Sequence, residues 1–286
     1  MNPGFIQEVS KGLDGKRFDE AAAILFSITR SKAQTKIKDG SLTLNGEQSI
    51  PKREVKAGDK LVIISTEKDN KLKIPIVFED KDIVVINKPS GVSAHPAEGE
   101  KKMTVTEILA EKTGEEYLIV HRLDKGTSGV MLLAKNLQTQ RNLREQFKNR
   151  QVRKVYLALI EGRIQPEKGS IDIPLAREET VRNRIGAVEG GRTAVTGYEV
   201  EEYIKDYSYI EAYPKTGRTH QIRAHFASIG FPVVGDERYG KKSDIIGRIF
   251  LHAFRIKFIH PKEKKEVEYS CSLPPELERV LSILRD

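Results

Sequence analysis

The chain is nearly devoid of cysteine: its single thiol, Cys271, excludes an intramolecular disulfide and any zinc-ribbon spacing. No apolar run approaches the length of a membrane-spanning helix, and the segment from Met1 to Ser10 lacks the basic and apolar regions of a signal peptide. The sequence also lacks the glycine fingerprints of dinucleotide-binding and P-loop proteins. These absences predict a protein of the reducing cytoplasm that is not associated with a membrane and binds no nucleotide cofactor.

The composition of the 286 residues, 38% hydrophobic and 31% charged, is typical of a folded protein with one large domain or two unequal domains. The formal net charge of +8 favours a polyanionic partner such as nucleic acid. A basic protein without such a partner would have the same composition, so the charge alone leaves both interpretations open.

One polar loop stands between two short apolar segments, Tyr117 to Val120 and Val130 to Ala134, which are typical of strands. The loop reads His121-Arg122-Leu123-Asp124-Lys125-Gly126-Thr127-Ser128-Gly129 and carries one carboxylate. Flanking strands hold the side chains of such a loop in place, and catalytic groups are often sited there. Aspartate is also a favoured turn residue, so the loop alone does not decide between a catalytic and a structural Asp124.

This loop resembles the catalytic motif of the RluA-type pseudouridine synthases, in which His-Arg-Leu-Asp is followed by two residues and then Thr-Ser-Gly. The resemblance implies an isomerase, an intramolecular transferase that converts uridine in RNA to pseudouridine, with Asp124 as nucleophile and with neither a cofactor nor a metal. A stacked base is out of reach of a side chain, so the uridine has to be flipped out of the RNA. Arg122, beside the nucleophile, is then expected to fill the vacated space or to hold the RNA backbone.

Two other segments resemble motifs of the same family. The segment Lys154-Val155-Tyr156-Leu157-Ala158 resembles the motif that supplies an active-site tyrosine, which implies that Tyr156 stacks on the flipped base and serves as a general acid or base. From the residues alone, a tyrosine in an apolar strand is more often core packing. The segment Asn87-Lys88-Pro89-Ser90-Gly91, with His95 soon after, resembles a motif that braces the catalytic loop, so Lys88 and His95 are expected to be supporting residues.

The segment Gly217-Arg218-Thr219-His220-Gln221-Ile222-Arg223 resembles a third family motif, whose arginine pairs with the nucleophile. We assign that pair to Arg223, with Arg218 as the second choice; an adjacent cation favours the ionised carboxylate that a nucleophile needs. Arg218 and His220 are assigned to RNA binding. His220 and His225 alone suggest a metal site only weakly, because no nearby cysteine or acidic cluster completes one.

Residues 12–66 show the pattern of a small α+β unit. Apolar residues at helical spacing predict a first helix, and Ser31 is expected to cap a second helix that runs through Lys38 and ends at Gly40. The unit resembles the RNA-binding domain named after ribosomal protein S-four. The side chains expected to contact RNA are those of Arg17, Arg30, Lys32 and Lys36. From charge alone, a solvated basic face is the other interpretation.

A polar linker, residues 67–75, is expected to join this unit to a catalytic domain, residues 76–286. Within that domain the patterns predict a capping box of Thr104 and Glu107, a helix from Leu137 to Lys148, and a final helix that opens at Leu273-Pro274. The segment from Glu178 to Arg192 is rich in arginine and glycine and is predicted to be a long basic loop.

We therefore predict the α+β fold class, with a mixed, largely antiparallel sheet in a catalytic domain of pseudouridine synthase type, plus a small α+β RNA-binding domain. The expected substrate is RNA, large-subunit ribosomal RNA ahead of transfer RNA, and the expected state is a monomer. One alternative is a non-catalytic RNA-binding or ribosome-assembly protein of the same fold. The other is a carboxylate-based glycoside hydrolase, for which the loop supplies no second catalytic carboxylate.

Overall fold

The computed structural model describes residues 5–26, 28–38, 40–63, 74–95, 103–178 and 184–286. The chain divides into two compact units, Met1–Lys73 and Ile74–Asp286. Most of the predicted linker, residues 67–73, lies outside the described residues, while Ile74, also assigned to the linker, is buried in the core of the second unit. No helix in the described ranges is long and apolar enough to cross a bilayer.

The first unit packs two helices on a small antiparallel sheet. Its strands are β1 (Phe5–Glu8), β2 (Leu42–Leu44) and β3 (Lys60–Ile63), in the order β1-β3-β2, and its helices are α1 (Phe18–Leu25) and α2 (Arg30–Lys38). The apolar face of α1 is buried, as its spacing predicts. The prediction that Ser31 caps α2 is wrong: the helix begins one residue earlier, at Arg30, and Ser31 lies in its first turn.

The second unit is built on a ten-stranded sheet in the order β4-β5-β7-β14-β8-β13-β12-β9, with β6 paired to β7 and β15 paired to β14. Its strands, together with the separate hairpin β10–β11, are β4 (Ile76–Glu79), β5 (Ile83–Lys88), β6 (Leu118–Ile119), β7 (Ser128–Ala134), β8 (Arg153–Glu161), β9 (Lys168–Asp172), β10 (Leu175–Arg177), β11 (Ile185–Ala187), β12 (Val195–Ile204), β13 (Tyr207–Pro214), β14 (Leu251–Ile259) and β15 (Glu266–Ser270). Among the paired strands that the structure describes, only β7 and β14 run parallel, which confirms the predicted mixed, largely antiparallel α+β architecture.

In the described part of this unit four helices accompany the sheet: α3 (Val105–Thr113), α4 (Leu137–Lys148), α5 (Gln221–Ser228) and α6 (Pro275–Arg285). The predicted capping box of Thr104 and Glu107 begins α3, and the predicted bounds of α4 are confirmed. The predicted final helix is α6, and its apolar face is buried: Leu277, Val280, Leu281 and Leu284.

The parallel contact between β7 and β14 explains a glycine in the catalytic motif. Gly129 lies opposite Ala253 of β14 and has a φ of 113°. A Cβ atom at Gly129 would lie 2.2 Å from the carbonyl oxygen of Ala253, so no other residue fits without moving β14. The close approach brings the loop before β7 beside the strands that carry the rest of the site.

The prediction of one long loop from Glu178 to Arg192 needs correction. Residues 179–183, which include Arg182, lie outside the described residues, but Ile185–Ala187 forms strand β11 and pairs with β10. Ile185 also packs against a small apolar cluster that contains Tyr239. A three-residue strand is too short to show alternation, and its partners lie elsewhere in the chain, so the local composition hid it.

Candidate active site

A cavity of about 540 Å³ opens where the loop before β7, the middle of β8 and the start of α5 meet. All of the site residues that the sequence assigns to the second unit line this cavity: Arg122, Asp124, Tyr156, Arg218, His220 and Arg223. Its volume lies within the range of roughly 300–1,000 Å³ that is usual for small-ligand sites. The structure therefore gathers residues from three separate sequence motifs into one place.

The carboxylate of Asp124 is anchored through one of its two oxygens. Arg223 donates from Nη1 to Oδ2 of Asp124 at 2.9 Å, and Nε2 of His220 lies 3.8 Å from the same oxygen. The side chain of Asp124 is 17% exposed, and its Oδ1 accepts no hydrogen bond from the residues that the structure describes. Oδ1 is therefore the oxygen left available to a reacting substrate.

Arg223 is held from behind by a second carboxylate that the sequence motifs did not reveal. Its Nε and Nη2 donate to the two oxygens of Asp236, at 2.6 and 2.9 Å, and Asp236 is fully buried. Burial opposes the charge of Arg223, but the hydrogen bonds and charges of Asp236 and Asp124 outweigh it and raise its pKa. A bidentate pair fixes the plane of the guanidinium, so Nη1 is aimed at Asp124.

The loop that carries Asp124 is braced from one side by the segment that follows β5. Lys88 is fully buried, and its Nζ donates to the carbonyl oxygens of Pro89, Val92 and Lys125 at 3.0, 2.9 and 3.4 Å. Ser90 donates from Oγ to the carbonyl of Gly126 at 2.8 Å. Burial lowers the pKa of Lys88 to about 7. These contacts fit the supporting role expected of Lys88; His95, in contrast, is exposed.

On its other side the loop is held by Arg248, which sequence reasoning missed. Arg248 donates from Nη1 to the carbonyl of Gly126 at 3.2 Å and from Nη2 to Oγ of Ser128 at 3.1 Å. Its Nη2 also donates to Glu276 of α6 at 3.0 Å. Nδ1 of His252 lies 2.9 Å from the same Ser128 hydroxyl. The Thr-Ser-Gly end of the motif is thus tied to β14 and to the last helix.

Tyr156 projects from β8 into the cavity and packs against the apolar clusters on both sides of it. Burial, with a smaller contribution from the charge of Asp124, raises the pKa of Tyr156. Its phenol is therefore protonated at neutral pH, so it can donate a proton and offers an aromatic face. His121 has a structural role: its Nε2 accepts from the Leu132 amide at 3.0 Å, and burial lowers its pKa to about 3.

The cavity is strongly cationic. Among its described lining residues Asp124 is the single carboxylate, and seven side chains are basic: Arg122, Lys148, Arg150, Lys154, Lys215, Arg218 and Arg223. Arg218 is half-buried and donates from Nε to the carbonyl of Thr193 at 3.0 Å; burial and the charges of Arg192 and Arg150 lower its pKa. Arg122 is exposed. Such a surface suits a polyanion, and it offers no second carboxylate for a glycoside hydrolase.

The candidate RNA-binding residues of the first unit lie in a different environment. Arg17 donates to both oxygens of the buried Asp19, at 3.0 and 2.9 Å, and Arg30 contacts Asp19 at 3.2 Å and Glu20 at 2.7 Å. These pairs link α1 to the start of α2 and partly neutralise both arginines. Lys36 lies in the last turn of α2. The side chain of Lys32 lies outside the described residues.

His220 and His225 were the residues that weakly suggested a metal site. Both ring nitrogens of the buried His225 are engaged, Nδ1 with Oγ1 of Thr196 at 2.8 Å and Nε2 with the carbonyl of Ile173 at 3.0 Å. No group of three or more histidine, cysteine, aspartate or glutamate residues in the described ranges is arranged to hold a metal ion.

Comparisons with known proteins converge on one family. The chain matches the family described as RNA pseudouridylate synthase over residues 82–228. Ribosomal large subunit pseudouridine synthase D of Pseudomonas aeruginosa is 34% identical and covers 97% of this chain and 95% of its own length. The RNA pseudouridine synthase YlyB of Bacillus subtilis is also 34% identical, over 90% of each chain.

A solved structure agrees with these sequence relatives. Human RNA pseudouridylate synthase domain containing 1 is 28% identical and superposes with a TM-score of 0.63 over 76% of this chain and 96% of its own. The stretch matched to the family includes Asp124, Tyr156 and Arg223 but ends before Asp236 and Arg248.

Proposed function

The chain belongs to the RNA pseudouridylate synthase family and is therefore an isomerase of uridine in RNA, for which we propose large-subunit ribosomal RNA as the substrate and Asp124 as the nucleophile. Support for the RNA class comes from the Pseudomonas relative, whose name refers to the large ribosomal subunit. Support for the nucleophile comes from one observation: Asp124 lines a cationic cavity with Oδ2 held by Arg223, while Oδ1 has no protein donor among the described residues.

In the proposed chemistry the carboxylate of Asp124 first attacks the substrate and is later released from it. Oδ1 attacks either the uracil ring or the ribose carbon, the bond between the base and C1′ breaks, and the base turns while it stays in the cavity. A carbon–carbon bond then forms to the same ribose, the carbon loses a proton, the ring nitrogen gains one, and the carboxylate is released. No electrons are gained or lost overall. Arg223 stabilises the charge of the carboxylate at the start and at the end of this cycle.

The other cavity residues then have distinct roles in our proposal. Tyr156 stacks on the flipped uracil and, as a protonated phenol, can donate a proton to it. Arg122 is exposed beside Asp124, where it can occupy the space that the flipped base leaves in the RNA. Arg150 and Arg218, at the cavity, are suited to phosphate oxygens on either side of the target nucleotide.

We also propose that the first unit binds RNA through the basic residues of α2. Lys36 and Lys38 lie in the last turn of α2. Arg17 and Arg30 already pair with carboxylates, so their main contribution is to hold α1 and α2 in place. Phosphate contacts of this kind position an RNA and do not read its sequence.

Mapping pseudouridines in total RNA from cells with and without the gene tests the substrate. We expect the loss of one or more pseudouridines from large-subunit ribosomal RNA, and their return when the wild-type gene is restored but not when the gene encodes Asp124→Asn. Loss confined to transfer RNA would overturn the ribosomal substrate while leaving the isomerase activity intact.

A further inference from the structure

We propose that Tyr239 and His220 are positioning residues for the nucleophile: Tyr239 fixes the tautomer of His220 that carries its proton on Nε2, so that this N–H faces Oδ2 of Asp124. The proposal rests on the function proposed above, in which Asp124 is the nucleophile. It replaces the expectation from sequence that His220 binds RNA.

The hydrogen bonds of the Tyr239 hydroxyl determine where its proton goes. The backbone amide of Ile185, in β11, donates to this hydroxyl at 3.0 Å, and Nδ1 of His220 lies 2.9 Å from it. Tyr239 is only 8% exposed, and no other acceptor for its proton occurs among the described residues. The hydroxyl therefore donates to Nδ1, and a neutral imidazole that accepts at Nδ1 carries its proton on Nε2.

The surroundings of His220 favour the same arrangement. Burial lowers the pKa of His220 to about 4; the charge of Asp124 opposes this shift, Arg223 and Arg238 add to it, and Asp236 opposes it. The ring is therefore neutral at neutral pH and carries one proton. The opposite tautomer would place the lone pair of Nε2 against the carboxylate oxygen 3.8 Å away, which is repulsive.

The backbone of His220 adopts an uncommon conformation at the position where its ring approaches Asp124. His220 precedes the first residue of α5 with a φ of 53°, a left-handed conformation that is uncommon for residues other than glycine. The edge of its ring also meets the ring of Tyr239, with centroids 5.6 Å apart and an interplanar angle of 86°. The ring is thus held by Tyr239 on an uncommon backbone conformation, with Nε2 3.8 Å from Oδ2 of Asp124.

The consequence for catalysis is a second donor on the oxygen that does not react. Arg223 already donates to Oδ2, and a shift of about 1 Å would bring Nε2 of His220 within hydrogen-bonding distance. Donors on Oδ2 stabilise the carboxylate when it leaves the substrate and keep Oδ1 as the attacking atom. Because β11 supplies the amide that donates to the Tyr239 hydroxyl, the β10–β11 hairpin contributes to the positioning of His220.

The tautomer can be measured directly in the full-length protein. We expect nitrogen-15 labelled histidine to show a proton on Nε2 of His220 in the wild type, with the resonance assigned by its loss in His220→Asn. Tyr239→Phe removes the donor to Nδ1, so His220 should then show a mixture of tautomers. A proton on Nδ1 in the wild type would overturn the proposal, and so would an unchanged tautomer in Tyr239→Phe.

Single-turnover rates and RNA affinities supply the functional readout. His220→Asn tolerates the left-handed backbone and keeps an acceptor near Tyr239, but it places no donor near Asp124. We expect about a tenfold slower rate with unchanged RNA affinity, as for the loss of one hydrogen bond to a charged group. His220→Gln, whose amide N–H can approach the position of Nε2, should recover part of the rate. Weaker RNA binding at an unchanged rate would show that His220 is an RNA-binding residue after all.

A matched control separates these effects from the loss of any hydrogen-bonded phenol. Tyr203→Phe removes a hydroxyl that donates to the carbonyl of Ile164 at 2.7 Å, on a strand that contributes nothing to the cavity lining. It should leave the rate unchanged, whereas Tyr239→Phe should slow it; equal effects would contradict the proposal. If Asp124→Asn stays active, the proposed nucleophile is wrong, and the tautomer measurement still tests the pairing of Tyr239 with His220.

Discussion

Arg223 lies between two carboxylates, so removing its charge affects stability and catalysis through different partners. Arg223→Met deprives the fully buried Asp236 and the 17% exposed Asp124 of their shared cation. Removing one partner of a buried ion pair costs about 3–5 kcal/mol, because the remaining charge stays desolvated. That is a large share of the roughly 5–15 kcal/mol by which a typical domain is stable. We therefore expect this variant to unfold at a markedly lower urea concentration.

A second substitution should restore the stability without restoring the activity. Asp236→Asn removes the buried charge and keeps an oxygen that can accept from the backbone amides of Arg238 and Tyr239, which lie 3.1 and 3.4 Å from Oδ1 of Asp236. Replacing both members of a buried pair by neutral groups of similar volume is often close to neutral. The double variant Arg223→Met/Asp236→Asn should thus recover most of the lost free energy of unfolding, while Asp124 still lacks its cation.

Urea unfolding and single-turnover pseudouridine formation measure the two effects separately. Arg218→Met is the control, because Arg218 is half-buried and its Nε donates to a single carbonyl; we expect a change in stability below about 1 kcal/mol. A double variant no more stable than Arg223→Met would contradict the charge argument. Recovery of activity together with stability would show that Arg223 acts only through folding.

Three further outcomes follow from the site and its supports. Arg248→Met should slow single-turnover catalysis about tenfold, because Arg248 loses its contacts with the loop that carries Asp124. Arg285→Met removes another ion pair of α6 and should leave the rate unchanged. Equal rates for the two variants would contradict a supporting role of Arg248 for this loop. Burial lowers the pKa of His121 from its usual value of 6.5 to about 3. Its contribution to stability is therefore complete above about pH 6.5 and declines as the pH falls toward 3, because between these values the unfolded chain binds a proton that the folded chain does not. His121→Gln should therefore flatten the fall of the unfolding free energy between about pH 6 and 4, and an unchanged slope would contradict this. Deleting residues 1–73 should flatten the salt dependence of RNA binding, since each phosphate contact adds about 0.7–0.9 to the log–log slope; an unchanged slope would mean that the first unit does not contact RNA.

The parts of the site that could be predicted from the sequence are those carried by continuous motifs. Asp124, Tyr156 and Arg223 each lie in such a motif, and the structure places all three at one cavity. The bounds of α4 and the buried face of α6 were also predictable, because a cap or an apolar period marks them.

The remaining parts of the site depend on contacts between distant segments, which local patterns do not contain. Arg248 contacts Gly126 across 122 positions of the chain, and it lies in a segment without helix or strand. Asp236 follows a short apolar stretch and resembles an ordinary turn residue, and Tyr239 comes three positions later without a pattern of its own. The burial of Asp236 is not visible in the sequence, so no local signal pointed to its pairing with Arg223.

Charge counting also does not reveal how the basic residues of the first unit are paired. Arg17 and Arg30 contribute to a basic helix–turn region in the sequence, but in the structure both pair with Asp19. Arg17 and Asp19 pair at the start of α1, whereas Arg30 reaches Asp19 only once α1 and α2 are packed together. A pattern of basic residues therefore overstates the free positive charge wherever a nearby acidic residue becomes buried.

The claim that Asp124 is the nucleophile is tested most directly by Asp124→Asn in a single-turnover reaction with RNA. The amide keeps the shape of the side chain and can still accept a hydrogen bond from Arg223, but it cannot form the bond to the substrate. We expect pseudouridine formation to be abolished while the RNA affinity stays within a few-fold of that of the wild type. A rate above about a tenth of the wild-type rate would contradict nucleophilic catalysis by Asp124.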